Sequence, residues 1–415
     1  MTRAKKTDLV LDGNEVKLRL TAERQKTKQI VHVDWVRFTC NLRAAPTPSA
    51  DKLFPAPSRD WVKHWRNQEA HEVRAADERK ADMLAVLKTI DDPDFSASAQ
   101  ALQLAEQVCE ALGPDFSVYP EIRKGHDFYR FRWSIVRNEV ECGWVGYLAS
   151  GDSPRQNAQA KTIHCNLYGT ACTFAETGFN HRLANIVEAT CATITRVDLA
   201  LDFFDGFTGG MDRVKADYQA GLMDHCGKQP KCNLVGDWCN GRARSFYFGS
   251  KEAGKQTNVY EKGHQLFGPK DDSPWIRAEL RWGNKLRVLE SDILRRPADF
   301  FAGASEWHSR LLREAGAQVT PEPVPTTKRL AAETICAEVK RNVQWLMDTA
   351  APSIALCFEH LGNTSFIEEI LLNKKAPGRL QKFSKQEISG AFERAFARVL
   401  APRTGHARTA STLAV

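Results

Sequence analysis

The segment Thr195-Arg-Val-Asp-Leu-Ala-Leu-Asp-Phe-Phe-Asp-Gly206 decides the fold of the chain around it. Its composition predicts a strand, and side chains on a strand alternate between two faces. One face carries Val197, Leu199 and Leu201, and the other carries Arg196, Asp198 and Asp202. Aspartate is depleted in strands, so two on one face suggest a reactive surface. The alternative is an edge strand with a solvated polar face and an Arg196–Asp198 ion pair.

The segment Trp275-Ile-Arg-Ala-Glu-Leu-Arg-Trp282 alternates in the same way, with Arg277, Glu279 and Arg281 on one face. An acid flanked by arginines can hold a divalent cation while the guanidinium groups bind phosphate oxygens. The alternative is a cross-strand ladder of ion pairs, which contributes little free energy at a surface.

The segment Asn258-Val-Tyr-Glu-Lys-Gly263 places Tyr260 and Lys262 on one face of a third strand. A phenol with a pKa near 10 is a poor nucleophile at neutral pH, and a nearby cation makes it a better one. The alternative is a half-buried tyrosine covered by the aliphatic part of the lysine.

Taken together, these polar faces suit metal-assisted phosphoryl transfer with a tyrosine nucleophile. The chain lacks a G-x-x-x-x-G-K-[ST] phosphate loop, a G-x-S-x-G elbow and an H-E-x-x-H motif, so three other common chemistries are not indicated. Asp198 and Asp202 would lie about 13 Å apart on a straight strand, so they could share one ion only where the strand bends or ends.

Strands and helices interleave with uneven spacing, which predicts an α+β fold. We expect a largely antiparallel catalytic sheet with flanking helices, a helical insertion near the N-terminus and a helical C-terminal region. The predicted segments are a flexible one at 1–28, a catalytic domain at 29–317 with a helical insertion at 59–112, a linker at 318–326, a helical region at 327–403 and a disordered tail at 404–415.

The net charge of +7 is carried by one part of the chain. Residues 374–415 hold nine Lys/Arg and two Glu, so their sum is +7 and the remaining residues sum to zero. A basic tail on a neutral body suits a polyanionic partner such as DNA, although it can also serve solubility alone. Without a signal peptide or a long apolar stretch, we expect a cytoplasmic protein with no membrane partner.

The order of the motifs resembles that of the replication initiation factor family, which comprises initiators of rolling-circle plasmids and filamentous phages. The resemblance is carried by 195–202, Phe246-Tyr-Phe-Gly-Ser250, 258–263 and 275–281, and extends to His32-Val-Asp-Trp-Val-Arg-Phe-Thr39 and to 163–172. One departure is Asn166, where relatives often carry an acid.

This resemblance implies a sequence-specific DNA strand transferase that nicks and rejoins an origin through a 5′-phosphotyrosine and leaves a 3′-OH primer. It implies Tyr260 as the nucleophile, assisted by Lys262, and Asp198, Asp202 and Glu279 as ligands of Mg²⁺ or Mn²⁺. Phosphate contacts would then come from Arg196, Arg277 and Arg281.

The expected partner is single-stranded or hairpin origin DNA. Host helicase and polymerase are candidate partners, and a homodimer is a candidate assembly. Two other functions remain open at this point. One is a DNA-binding regulator of replication or transcription without cleavage, and the other is a metal-dependent nuclease that uses water while Tyr260 only packs.

Overall fold

A computed structural model describes residues 13–47, 94–224, 227–361, 367, 380–381 and 383–400. The chain divides into two compact units, Met1–Pro325 and Thr326–Val415. The predicted helical stretch at 59–92 and the predicted tail at 404–415 lie outside the described residues.

The first unit is built on one large sheet in which every described pairing is antiparallel. Its strands are β1 (Val31–Asn41), β2 (Phe116–Val118), β3 (Arg123–Lys124), β4 (Tyr129–Arg137), β5 (Val140–Ala149), β6 (Thr162–Leu167), β7 (Thr193–Phe203), β8 (Cys232–Asp237), β9 (Arg242–Ser250), β10 (Lys255–Glu261) and β11 (Ile276–Gly283). The strand order is β2-β4-β5-β6-β1-β7-β11-β10-β9-β8, and β3 pairs with β4. The α+β prediction with a largely antiparallel sheet is therefore confirmed.

Helices flank this sheet. They are α1 (Gly13–Thr27), α2 (Asp94–Leu112), α3 (Pro154–Ala160), α4 (Gly169–Phe174), α5 (Phe179–Ala189), α6 (Gly210–Gln219), α7 (Lys262–Phe267), α8 (Asp292–Arg295), α9 (Pro297–Ala302) and α10 (Glu306–Glu314). One continuous apolar core joins the sheet to them. Burial of this apolar surface is the main favourable contribution to folding.

The two faces of the sheet differ because each central strand alternates. Val197, Leu199 and Leu201 of β7 are fully buried in the apolar core. On β10 the same face carries Thr257, which contacts His308 of α10 at 2.9 Å. The polar side chains of β7, β10 and β11 consequently lie together on the opposite face.

Two predictions about the N-terminal part of the chain differ from the structure. The predicted flexible segment at 1–28 contains α1 from residue 13 onward, where Val16 and Leu20 are buried one helical turn apart. The predicted insertion at 59–112 ends in α2, which is a core helix, because Leu104, Val108 and Leu112 are fully buried beneath the sheet.

The second unit is helical. Its described helices are α11 (Lys328–Trp345), α12 (Ala351–Leu361) and α13 (Lys385–Leu400), with a π-helical turn at Leu346–Ala350. It has a small apolar core of its own, formed by Ile335, Val339, Val343, Leu380 and Ala391. No helix among the described residues is long and apolar enough to cross a membrane.

Candidate active site

The three patterned strands lie side by side in the order β7-β11-β10. Their register places Asp202 opposite Arg277, and Arg277 opposite Tyr260. Four residues further along β11, Arg281 pairs with Asp198. Antiparallel pairing thus brings the predicted site residues of three distant segments onto one face, and Lys262 follows directly as the first residue of α7.

Tyr260 lies at the centre of this face and is 8% exposed. Its hydroxyl donates a hydrogen bond to Oε2 of Glu279 at 3.2 Å. Burial raises the pKa of the Tyr260 phenol well above its usual value, and the Arg277 charge offsets part of this. A phenol in this setting reacts only if a neighbouring group accepts its proton.

Glu279 is the neighbouring group placed to accept that proton. Burial raises its pKa to about 7, and the negative charges of Asp34 and Asp198 act in the same direction. Arg281 approaches Glu279 only to 4.0 Å. A carboxyl group with a pKa near neutrality can exchange a proton with a substrate or a phenol at cellular pH.

Lys262 supplies a cation beside the phenol. Its Nζ lies 5.7 Å from the centre of the Tyr260 ring and donates to Oε1 of Gln265 at 2.8 Å. Burial lowers the pKa of the Lys262 ammonium to about 8, with the Arg277 charge acting in the same direction. Lys262 therefore carries its charge at neutral pH and loses it in mildly alkaline solution.

Arg277 of β11 connects three strands through ion pairs near the Tyr260 phenol. Its guanidinium donates to Oδ1 of Asp202 at 2.8 Å and to Oδ1 of Asp34, on β1, at 2.8 Å. Although burial raises the pKa of the Asp202 carboxyl, the charges of Arg277 and His32 outweigh it and hold that pKa below its usual value. Arg277 is 1% exposed, so its guanidinium is engaged by carboxylates rather than free for phosphate.

Asp198 is held in a second cluster. Arg196 Nε donates to it at 2.8 Å, and Arg281 Nη2 donates at 3.3 Å. The Arg196–Asp198 pair and the cross-strand ion pairs suggested as alternatives are thus present. The edge-strand alternative for β7 is wrong, however, because β7 lies between β1 and β11 and Asp198 is 1% exposed.

The three carboxylates predicted to bind a metal ion do not fit one metal site as they are placed. Asp198 and Asp202 are each neutralised by arginine, and Asp202 also accepts from Trp275 Nε1 at 2.7 Å. Within the part of the chain that the structure describes, no group of three or more His, Cys, Asp or Glu side chains could hold a metal ion. We therefore assign no chemical step to a metal.

A cavity of about 410 Å³, here called the Tyr260 cavity, opens beside the phenol. Its lining includes Asn258, Tyr260, Glu279, Arg281 and Tyr247. Oδ1 of Asn258 is buried here without a hydrogen-bond partner among the described residues.

Sequence reasoning assigned no role to Asp34, His32 or Asn258. His32 lies between two carboxylates, with Nε2 at 3.4 Å from Asp34 and Nδ1 at 3.4 Å from Asp202. Asp34 is the acidic residue of β1, and the depletion of aspartate in strands could have marked it as it marked Asp198. At Asn166, the amide oxygen accepts from Trp35 Nε1 at 2.8 Å and from Arg37 Nε at 3.1 Å.

Comparisons with known proteins address the resemblance seen in the sequence. Residues 192–371 match the replication initiation factor family. This confirms the resemblance for the segment that holds Tyr260, Lys262 and the other predicted site residues. No curated protein sequence matches the chain.

One solved structure similar to the chain is that of the rolling circle replication initiator protein from Geobacillus stearothermophilus. The two share 16% identity with a TM-score of 0.37, and the match covers 68% of this chain and 84% of that one.

Proposed function

We propose that this protein is a rolling-circle replication initiator that nicks and rejoins origin DNA through a covalent link to Tyr260. The observation that carries the proposal is the hydrogen bond from the Tyr260 hydroxyl to Glu279 beside a cavity, with Lys262 against the same ring. These residues lie in the segment that matches replication initiation factors.

In the proposed step, Oη of Tyr260 attacks the scissile phosphorus in line. The Oη–P bond forms, the bond from phosphorus to the 3′-oxygen breaks, and the Tyr260 proton passes to Glu279. The 3′-oxygen takes a proton from water and becomes the 3′-OH primer, while the 5′-phosphate stays on Tyr260. Joining is the reverse reaction, in which a 3′-OH attacks the phosphotyrosine and Glu279 returns the proton.

Charge on the phosphoryl oxygens would be stabilised chiefly by Lys262, which has no carboxylate in direct contact within the described residues. Arg277 acts differently, because its guanidinium is bound to Asp34 and Asp202. It contributes a fixed positive charge that favours the phenolate, as its effect on the pKa of Tyr260 indicates. Arg196 and Arg281 hold Asp198 and could reach phosphate at the open side of the face.

The resemblance in the sequence implies Mg²⁺ or Mn²⁺, and Glu279 is the predicted ligand that arginine holds least closely, but the proposed step uses Glu279 as the base and no metal. Origin DNA is the proposed substrate, with host helicase and polymerase as partners and the cytoplasm as the compartment.

The experiment is a search for a covalent protein–DNA adduct. Overlapping single-stranded oligonucleotides that tile the replicon carrying the gene are incubated with the full chain and Mg²⁺ or Mn²⁺, then separated on a denaturing gel. We expect one oligonucleotide to become linked to the protein, Tyr260→Phe to abolish the adduct while DNA binding persists, and Tyr247→Phe, in the same cavity, to retain it.

The rival functions give different products. A nuclease that uses water leaves free 5′-phosphate ends and no adduct, and a regulator leaves every oligonucleotide intact. Retention of the adduct by Tyr260→Phe would contradict the proposal directly.

A further inference from the structure

A second cavity of about 410 Å³ is lined by Lys262, whose Nζ lies 5.7 Å from the centre of the Tyr260 ring. We call it the Trp35 cavity. Its lining includes Trp35, Tyr168, Asp34, Glu141, Lys262 and Arg277. Since Lys262 also lies against the Tyr260 ring, an occupant of the Trp35 cavity that contacts Lys262 would lie near the proposed nucleophile.

The walls of the Trp35 cavity suit a flat aromatic ligand. Trp35 and Tyr168 lie with ring centres 5.1 Å apart at 47°, and Phe174 and Leu266 add further apolar wall. Trp35 is held in place by the hydrogen bond from its Nε1 to Asn166. Aromatic side chains fixed in this way are the usual surfaces on which unpaired nucleobases stack.

The polar groups of the Trp35 cavity separate into two kinds. Lys262 and Arg277 are the cations of the lining, and Asp34 and Glu141 are its carboxylates. Arg277 binds Oδ1 of Asp34 at 2.8 Å, and Arg132 binds Oε2 of Glu141 at 3.0 Å. Carboxylates repel phosphate but accept hydrogen bonds from the exocyclic amino groups of bases. These groups suit a nucleotide whose phosphate binds Lys262 and whose base donates to the second carboxylate oxygen of Asp34, since Oδ1 is bound to Arg277.

Gly169 keeps the Asp34 carboxylate open to the cavity. A Cβ at this position would lie 3.5 Å from both carboxylate oxygens of Asp34 and 3.2 Å from its carbonyl oxygen. Gly169 begins α4 and lines the same cavity. Its missing side chain is therefore the gap through which a ligand would reach Asp34.

We propose that the Trp35 cavity holds one unpaired nucleobase adjacent to the scissile phosphate and prefers a base with an exocyclic amino group. This inference rests on the proposed function for its substrate class. It adds the contacts that select one nucleotide beside the cut, with Tyr168 and Trp35 as the stacking residues and Asp34 as the acceptor.

The first test is equilibrium binding, which does not depend on cleavage. Fluorescently labelled 12-residue oligodeoxycytidine and oligodeoxyuridine are titrated with the full chain, since the two bases differ in the group at C4 and the proton at N3. We expect oligodeoxycytidine to bind about tenfold more tightly. Gly169→Ala should reduce this preference to about twofold or less by covering Asp34, whereas Gly283→Ala, whose new Cβ meets nothing closer than 3.7 Å, should keep it.

Equal binding of the two oligonucleotides, no binding of either, or an unchanged preference in Gly169→Ala would each overturn the inference. Because Gly169→Ala suits a helix start, thermal unfolding of this variant should match that of the parent chain. If it does not, Tyr168→Leu replaces it, with about a tenfold loss of affinity expected for both oligonucleotides. An unchanged affinity in Tyr168→Leu would also overturn the inference.

The second test uses the adduct assay and separates this inference from the proposed function. Single abasic nucleotides are placed on each side of the mapped cut. For the parent chain we expect one of the two positions to slow adduct formation about tenfold. Tyr168→Leu should lose that sensitivity, because the base no longer has its stacking partner. If adducts form but neither abasic position slows adduct formation, the proposed function stands and the proposal that the Trp35 cavity holds a base is wrong.

Discussion

At the scale of single residues, the chemistry depends on how Tyr260 is surrounded. Its phenol is buried against Glu279 and the Lys262 ammonium, and its pKa lies well above the usual value. Burial alone would leave the Tyr260 phenol protonated and unreactive. Glu279 as a proton acceptor and Lys262 as a cation are the features that turn a buried tyrosine into a nucleophile.

Changing Glu279 to glutamine removes the proton acceptor and keeps the shape of the side chain. We expect Glu279→Gln to slow adduct formation about 10²- to 10⁴-fold. Affinity for DNA should be unchanged, because the negative charge of the Glu279 carboxylate does not contribute to DNA binding. Single-turnover adduct kinetics at saturating DNA measure this, and an undiminished rate would show that Glu279 is not the base.

Adduct formation should depend on pH through Lys262. Its ammonium is charged below a pKa of about 8 and neutral above it, so the rate should fall as pH rises through about 8. Arginine stays charged in this range, and Lys262→Arg should move the alkaline loss to higher pH. A pH–rate profile measures this, with Lys270→Arg, an exposed position, as the control. An identical alkaline limb in parent and Lys262→Arg would exclude Lys262 as its cause.

At the scale of elements, the site depends on antiparallel register between strands far apart in sequence. The Asp202–Arg277–Asp34 chain of ion pairs joins β7, β11 and β1. Buried charges are costly unless paired, so these three residues are mutually dependent. Because Asp202 neutralises the buried Arg277 guanidinium, we assign its carboxylate a structural role rather than a metal-binding one.

Asp202→Asn tests this assignment through stability. Removing one partner of a buried ion pair should lower the free energy of unfolding by about 3 kcal/mol, because Asp34 still balances part of the Arg277 charge. An empty metal site behaves in the opposite way, since losing one of several clustered carboxylates relieves repulsion. Urea unfolding in chelator measures the difference, with Asp205→Asn as an exposed control expected to change it by less than about 0.5 kcal/mol. Stabilisation by Asp202→Asn would contradict the ion-pair assignment.

The strands of the site show which of its features can be predicted from the sequence. The alternation in 195–202, 258–263 and 275–281 predicts each strand and its polar face, and the structure aligns these faces. The partner strand of each could not be predicted, because register is a property of two strands. Asp34 therefore went unassigned, since only pairing of β1 with β7 brings it near Arg277. Helix α1 was not predicted because only Val16 and Leu20 among its larger apolar residues are buried, and Leu18 between them is exposed, so the sequence shows no continuous apolar face.

At the scale of the whole molecule, charge and chemistry are separate. The net charge of +7 resides in 374–415, whereas the candidate site lies in the first unit. Cationic segments bind nucleic acid in a salt-dependent and sequence-independent way. We infer that the basic segment sets affinity for DNA, and that the polar sheet face sets what happens to the bound strand.

Replacing Lys374, Lys375, Arg403 and Arg408 with glutamine tests this division. We expect weaker binding of single-stranded DNA and a slope of log affinity against log salt that falls by up to about 0.7 for each charge that contacts phosphate. The rate of adduct formation at saturating DNA should stay the same. Salt titrations and single-turnover rates measure the two quantities. An unchanged salt slope would show that the basic segment does not contribute to DNA binding.

Mass spectrometry of the adduct shows directly whether Tyr260 is the nucleophile. Trypsin cuts after Lys255 and Lys262 and releases residues 256–262, in which Tyr260 is the only hydroxyl-bearing aromatic residue. We expect this peptide to carry a nucleotide through a phosphodiester on Tyr260. A nucleotide on any other residue, or cleaved DNA with no modified peptide, would contradict it.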